Sequence, residues 1–364
     1  MKKKILFGTI FAALLLLVGC SGGNSSSSSK SSGGNSKNIE VVAKGFQHDF
    51  WKAVQSGAKQ AAKEQGVTMN FVGPKDETAI AEQLEMLNNA VNKKPGAIAL
   101  AALDTKAEID AIKTAQEKGI PIIGFDSGVP NAPKGAVKAT ASTDNYKAGG
   151  IAAQHAYDAI KARIDSSATP PRIGIVSQEV NSLSISQRTG GFIDKMVQLL
   201  EANPKIGKGK VAVTGHDKFK NKVNASSAKA IIELRVPADV TDAAGKTEAS
   251  ALLKKNDTIC VYGSNEFGAK AIINADDSVG GRIGNTEGKV VAVGFDSGKL
   301  QINAIKSDKF LGSVTQNPIK IGYEAVSLAV KAAKGQKVKN IDTGVKWYNK
   351  DNVDSKEIKP LLYQ

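Results

Sequence analysis

Cysteine, histidine and aromatic residues are scarce in this 364-residue chain, and each shortage removes a class of chemistry. There are two cysteines, Cys20 and Cys260, and only Cys260 falls in the part expected to fold. No disulfide can form within that part, and Cys260 in the apolar run Ile259-Cys260-Val261 reads as a buried, inert thiol. The histidines, His48, His155 and His216, lie far apart, and neither H-E-x-x-H nor C-x-x-C spacing occurs. No metal and no cofactor is therefore expected. The chain also lacks a G-x-S-x-G elbow and a P-loop lysine motif. Beyond residue 18 no hydrophobic run is long enough to span a bilayer. The formal charge is +14, but the lysines are spread along the chain with few aromatics among them. A nucleic-acid surface needs clustered basic residues, so no nucleic-acid partner is expected. The charge reads instead as solubility and attraction to an anionic envelope.

The first residues are unlike the rest. Lys2, Lys3 and Lys4 precede an apolar run from Ile5 to Val18, the order of an export signal. The run ends Leu17-Val18-Gly19-Cys20, which resembles a bacterial lipobox. Cys20 would then be lipidated and become the first residue of the mature chain, with two or more acyl chains giving stable anchoring. Residues 21–36 are almost wholly Ser, Gly and Asn and read as a flexible tether. The expectation is residues 1–19 as signal peptide and 20–37 as lipidated Cys and tether. The protein is then exported and held by lipid at the outer face of the cytoplasmic membrane.

The globular part carries one phrase twice. Gly124-Phe125-Asp126-Ser127-Gly128 follows Ile120-Pro121-Ile122-Ile123, and Gly294-Phe295-Asp296-Ser297-Gly298 follows Val290-Val291-Ala292-Val293. Each preceding run has the short, β-branched character of a strand in a parallel sheet. Each Asp thus stands at a strand's carboxyl edge, where open α/β sheets bind ligands. Two such edges predict two similar lobes facing a shared cleft. Around them, strands are expected at 39–43, 68–72, 97–102, 120–125, 173–177, 211–214, 258–262, 290–295 and 312–316. Helices are expected at 50–65, 77–91, 106–118, 146–161, 186–200 and from 265, with Asn317-Pro318 opening another. Residues 215–257 read as mainly helical, 236–247 as irregular, and 276–287 as a surface loop. Alternating strands and helices build right-handed βαβ units, so the fold class is α/β.

From about Asn38 onward the chain resembles the ribose/galactose-type solute-binding proteins of sugar ABC importers, which have the type I periplasmic-binding-protein fold. The resemblance rests on several motifs in order. His48-Asp49-Phe50-Trp51 with Gly57-Ala58 is similar to the family's opening strand–loop–helix, and Gly124-Phe125-Asp126 to the first lobe's strand end. Thr143-Asp144-Asn145, Gln187-Arg188-Thr189-Gly190-Gly191-Phe192 and Ser264-Asn265-Glu266 are similar to the first crossing, the arginine segment and the Asn-Asp-Glu stretch. Gly294-Phe295-Asp296, Thr315-Gln316-Asn317-Pro318 and Ile341-Asp342-Thr343 complete the series. What this implies is two Rossmann-like lobes, each a parallel sheet flanked by helices, joined by a three-crossing hinge with the ligand cleft between. The first lobe would be 38–143 plus 317–342 and the second 144–316 plus 343–364. The hinge would involve Thr143, Asp144, Gln316, Asn317, Asp342 and Thr343, closing on ligand.

The resemblance also implies ligand-binding residues His48, Phe50, Trp51, Asp126, Arg188, Phe219, Asn265, Asp296 and Gln316. The carboxylates would accept sugar hydroxyls, Arg188 and the amides would donate, and the aromatics would cover C–H faces. Asp126 and Asp296 could instead cap following helices, and His48 could cap the helix at Phe50. The ribose-type pattern has Asp-Arg at the first strand end, whereas this chain has Asp126-Ser127, which opens the choice to other pentoses, hexoses or polyols. The expected protein is not an enzyme. It captures a small sugar and delivers it to the membrane permease of an ABC importer, as a monomer tied to the membrane by its lipid. The alternative is a sensor presenting a sugar or furanose-type signal to a membrane kinase or chemoreceptor. A repressor of the related regulator family conflicts with the export signal, and a two-carboxylate glycosidase lacks an evident acid–base pair.

Overall fold

A computed structural model describes residues 35–46 and 48–363. The signal, Cys20 and the tether up to residue 34 lie outside the described residues. Among those described, no helix is long and apolar enough to cross a membrane.

Two sheets form the two lobes. The first runs β12-β5-β4-β3-β1-β2, built from β1 (Asn35–Val42), β2 (Thr68–Val72), β3 (Pro95–Leu100), β4 (Ile122–Phe125), β5 (Val137–Ser142) and β12 (Ile341–Asp342). All its pairs are parallel. The second runs β13-β11-β10-β9-β6-β8-β7. It is built from β6 (Arg172–Val176), β7 (Val211–Thr214), β8 (Ala230–Arg235), β9 (Thr258–Gly263), β10 (Val291–Phe295), β11 (Gly312–Gln316) and β13 (Val345–Tyr348). Only β13, against β11, is antiparallel. The central strands β4 and β10 are buried along their whole length, as short apolar runs covered on both faces must be. Helices α1 (Asp49–Gln65), α2 (Ile80–Asn92), α3 (Ile109–Glu117) and α9 (Pro318–Ala333) flank the first sheet. Helices α4 (Asn145–Ser166), α5 (Leu183–Ala202), α6 (Asp242–Leu253), α7 (Glu266–Ser278) and α8 (Lys299–Lys306) belong to the second.

The chain passes between sheets three times: from β5 to α4, from β11 to α9, and from β12 to β13. The first and third passages lie side by side. Thr343 N–H donates to Ser142 O at 3.0 Å, and the Thr143 and Thr343 hydroxyls meet at 3.5 Å. At the second, Asn317 accepts from the Lys320 N–H and Pro318 takes the first helical turn.

Several local expectations give way. α2 starts at Ile80 rather than 77, because Asp76 accepts from the Thr78 N–H and hydroxyl and closes a turn. The stretch expected to be helical contains β8, whose charged residues disguise a buried strand. Arg172, Arg235 and Lys255 all pair with Glu233, which lets a carboxylate sit inside a sheet. Thr241 caps α6 by accepting from Ala244 N–H, so 236–247 divides into a loop and a helix start. α7 continues to Ser278, absorbing the first residues of the supposed 276–287 loop. Cys260 is buried in β9, and burial pushes its thiol up to about 12, out of reactive range.

Glycine pairs bring helices to backbone contact in each lobe. A Cβ on Gly57 would stand 1.9 Å from Ile319 O, and one on Gly322 1.9 Å from Val54 O, so α1 and α9 touch through both. In the second lobe a Cβ on Gly149 would meet Arg188 O at 2.2 Å, and one on Gly191 would meet Tyr146 O at 2.0 Å. Gly149→Ala should therefore cost about 1–3 kcal/mol through overpacking. Gly150→Ala, whose nearest contact would be 3.7 Å away, should be neutral or gain up to about 1 kcal/mol from helix propensity. Denaturant unfolding of both variants checks this, and equal effects would contradict the backbone-contact reading.

Candidate functional site

The carboxyl edges of both sheets face one narrow cavity, and most of its polar groups hang from strand ends or from the first turns of helices that follow. The space enclosed there is about 20 Å³, room for about one water molecule. The repeated phrase supplies its centre. Asp126 and Asp296 both adopt left-handed backbone, with φ of 53° and 70°. Each donates its N–H to the neighbouring strand, Asp126 to Ala141 O at 3.0 Å and Asp296 to Val314 O at 2.7 Å. A non-glycine residue in that region is costly, and both copies hold it to aim the carboxylate off the strand end. Neither caps a helix: β5 is the next element after Asp126, and Gly298 occupies the cap position before α8.

Arg188, one turn into α5, reaches between them. Its Nη1 donates to Asp296 Oδ2 at 3.0 Å, its Nε donates to Asn145 Oδ1 at 2.8 Å, and Nη2 lies 4.0 Å from Asp126 Oδ1. The guanidinium stacks 4.0 Å above the Phe295 ring. Gln316, ending β11, donates from Nε2 to Asp296 Oδ1 at 2.6 Å, while its Oε1 is buried without a partner. Burial, only partly offset by Lys44 and Arg188, pushes the Asp126 carboxyl up to about 6.

Of the residues singled out from sequence, His48, Phe50, Trp51, Asp126, Arg188, Asn265, Asp296 and Gln316 line this cavity together. His48 occupies the N-cap position of α1 but makes no side-chain cap bond, and its ring faces the cleft. Asn265 works twice, accepting from Gly268 N–H at the start of α7 and donating to Gln178 Oε1 at 2.9 Å. Phe219 is corrected: it does not line the cavity but packs beside Gly190 of α5 against the second lobe's core. Its loop follows β7, the outermost strand of the second sheet.

Sequence reasoning missed a buried polar cluster beside the centre. Lys44, just past β1, pairs with Glu77 at 3.3 Å. Trp51 Nε1 donates to Glu77 Oε1 at 2.6 Å, and Gln178 Nε2 donates to Glu77 Oε2 at 3.1 Å from the other lobe. Lys44 also reaches the Ser182 and Ser184 hydroxyls at 3.5 and 3.4 Å. Ser127, which replaces the expected arginine, instead accepts from the Ser184 N–H across the cleft at 3.3 Å. The lobes are thus bridged in a closed arrangement. The signal was available: Lys44 and Gln178 are polar residues at strand carboxyl edges, the same rule that selects the two aspartates.

The periplasmic binding protein domain family matches residues 39–337. The chain belongs to this family. The D-allose-binding periplasmic protein of Escherichia coli (strain K12) is 25% identical over 307 residues, covering 83% of this chain and 86% of that protein. Among solved structures, an ABC transporter, LacI family transcriptional regulator from Brachyspira murdochii is 39% identical with a TM-score of 0.73, covering 90% of this chain and 98% of that one. An ABC transporter solute-binding protein from Agrobacterium vitis with bound D-fucose is 30% identical with a TM-score of 0.71, covering 90% and 100%. As a periplasmic binding protein, the chain shares the fold of solute-binding proteins and not of enzymes.

In this periplasmic binding protein the Lys44–Glu77 pair yields a pH prediction. Burial would raise the Glu77 carboxyl, but Lys44 and His48, with the Trp51 and Gln178 hydrogen bonds, hold it at about 2. A depressed acid stabilises the fold above its unfolded value near 4.5, and that contribution fades as pH falls toward 2. Glu77→Gln should lose roughly 3–5 kcal/mol at pH 7 by stranding buried Lys44, with the gap to the natural chain closing below pH 4.5. Urea unfolding at pH 7 and pH 3 measures it. A gap that is the same at both would show the pair contributes no charge stabilisation.

Proposed function

We propose that this protein is an extracytoplasmic substrate-binding lipoprotein of an ABC importer, capturing a monosaccharide or similar polyol between its lobes and delivering it to the permease. The observation that carries the reading is the pair of strand-end carboxylates, one from each lobe, converging with Arg188 in a cleft floored by aromatics. Carboxylates accept from hydroxyls, while Arg188 and the amide groups donate. Phe50 and Trp51, packed edge to face at 5.1 Å and nearly buried, offer apolar surface to a sugar's C–H face. The residues 38–143 and 317–342 act as one jaw, 144–316 and 343–364 as the other, with the three crossings as hinge.

Relatives support the ligand class. Two of those named above are described with D-allose and D-fucose, and a solute-binding protein from Agrobacterium radiobacter, 28% identical, is in complex with D-arabinose. Closure would desolvate the hydrogen bonds, so a mismatched hydroxyl would leave a buried group unpaired at roughly 1–3 kcal/mol. Lipidation at Cys20, monomeric state and docking of the closed form on a membrane permease complete the proposal.

Thermal unfolding of the full chain against D-allose, D-fucose, D-arabinose and D-ribose tests it. A tight ligand at a hundredfold excess over its Kd should add about 2.7 kcal/mol of stability. Asp296→Asn should lose that gain while still unfolding cooperatively. No shift with any sugar or polyol, or an undiminished shift in the variant, contradicts the proposal.

A further inference from the structure

Glu266 opens α7, directly after Asn265, and lines the cavity opposite His48. Its Oε2 is buried with no hydrogen-bond partner, and His48 Nδ1 from the other lobe lies 3.8 Å away. His48 Nε2 is likewise buried and unpartnered. A buried carboxyl oxygen without a hydrogen bond is destabilising, so it is normally kept only where something else pairs with it. The second copy of the repeated phrase makes room for it: a Cβ on Gly298 would stand 2.7 Å from Glu266 Oε1.

The charges around Glu266 set its protonation. Burial first, then Asp296, Asp49 and Glu77, push its carboxyl up to about 8, against the attraction of Lys270. A carboxyl raised in this way both donates to and accepts from a hydroxyl when it carries its proton.

We propose that Glu266 is a ligand-contacting, specificity-determining residue of the second lobe, reading one hydroxyl of the bound molecule together with His48 across the cleft. This rests on the sugar-binding reading above. The 3.8 Å gap exceeds a direct hydrogen bond. The unpartnered atoms lie on opposite jaws, so the hydroxyl they read is one that only closure brings within reach of both. Because Glu266 makes no hydrogen bond within the protein among the described residues, its removal weakens binding without weakening the fold.

The test uses the full chain, calorimetric titration with D-allose, D-fucose, D-arabinose and D-ribose, and then the monodeoxy analogues of whichever binds. Glu266→Ala should weaken the parent sugar at least tenfold, with Glu266→Gln intermediate. The melting temperature without ligand should be unchanged or higher in both. For one monodeoxy analogue the natural chain and Glu266→Ala should bind equally, because the contact is already missing. Equal binding of the parent sugar by the natural chain and Glu266→Ala overturns the assignment. So does a uniform loss across all analogues with a lowered melting temperature, which marks a structural role. If the natural chain binds no sugar at all, the sugar-binding reading itself fails and this assignment falls with it.

Discussion

A guanidinium held between two carboxylates is the constraint around which the molecule is arranged. Arg188 is almost completely buried, and a buried cation is tolerable only when paired and hydrogen-bonded. Asp296 and Asn145 meet that need from its own lobe, and Phe295 lies under its face. Asp126 comes from the other lobe and stops at 4.0 Å. The second lobe therefore holds its arginine on its own, and the first lobe contributes a carboxylate that is not yet hydrogen-bonded to it. That spacing suits an arrangement in which a polar ligand completes the contacts between jaws.

The scaffold serves this centre twice over. Each copy of Gly-Phe-Asp-Ser-Gly ends a fully buried strand, buries its Phe in the core, and turns its Asp outward through left-handed backbone. The leading glycine makes room for a neighbouring side chain, since a Cβ on Gly124 would stand 2.7 Å from the Thr140 hydroxyl and one on Gly294 2.4 Å from the Gln301 amide. Each lobe also draws two helices together through paired glycines, and in the second lobe that contact falls on the backbone of Arg188 itself. Packing of α4 against α5 thus fixes where the arginine stands. Sheet order, strand-end geometry and helix contact all act on the same few ångströms.

Much of this was legible because the informative residues sit at strand ends, where period and composition change abruptly. The apolar runs before Asp126 and Asp296 announce buried strands, and the Asn317-Pro318 pair announces a helix start that the structure shows capped as expected. Less legible were elements whose signal is carried by partners distant in sequence. β8 reads as helical until Arg172, Lys255 and Arg235 are seen around Glu233. Glu77 reads as a helix residue until the Asp76 turn, Lys44 and Trp51 show why it points inward. Phe219 follows a strand, as the true site residues do, but its strand is at the sheet's edge, and strand order is not written in local pattern.

The proposed function requires one small polyhydroxylated molecule between Asp126 and Asp296. A crystal structure of the full chain grown with the sugar that stabilises it most tests this directly. Ring hydroxyls are expected within hydrogen-bond distance, about 2.5–3.0 Å, of both carboxylates, with Arg188 donating to the same ring. A sugar bound outside the cleft, or in the cleft but touching neither aspartate, would contradict it.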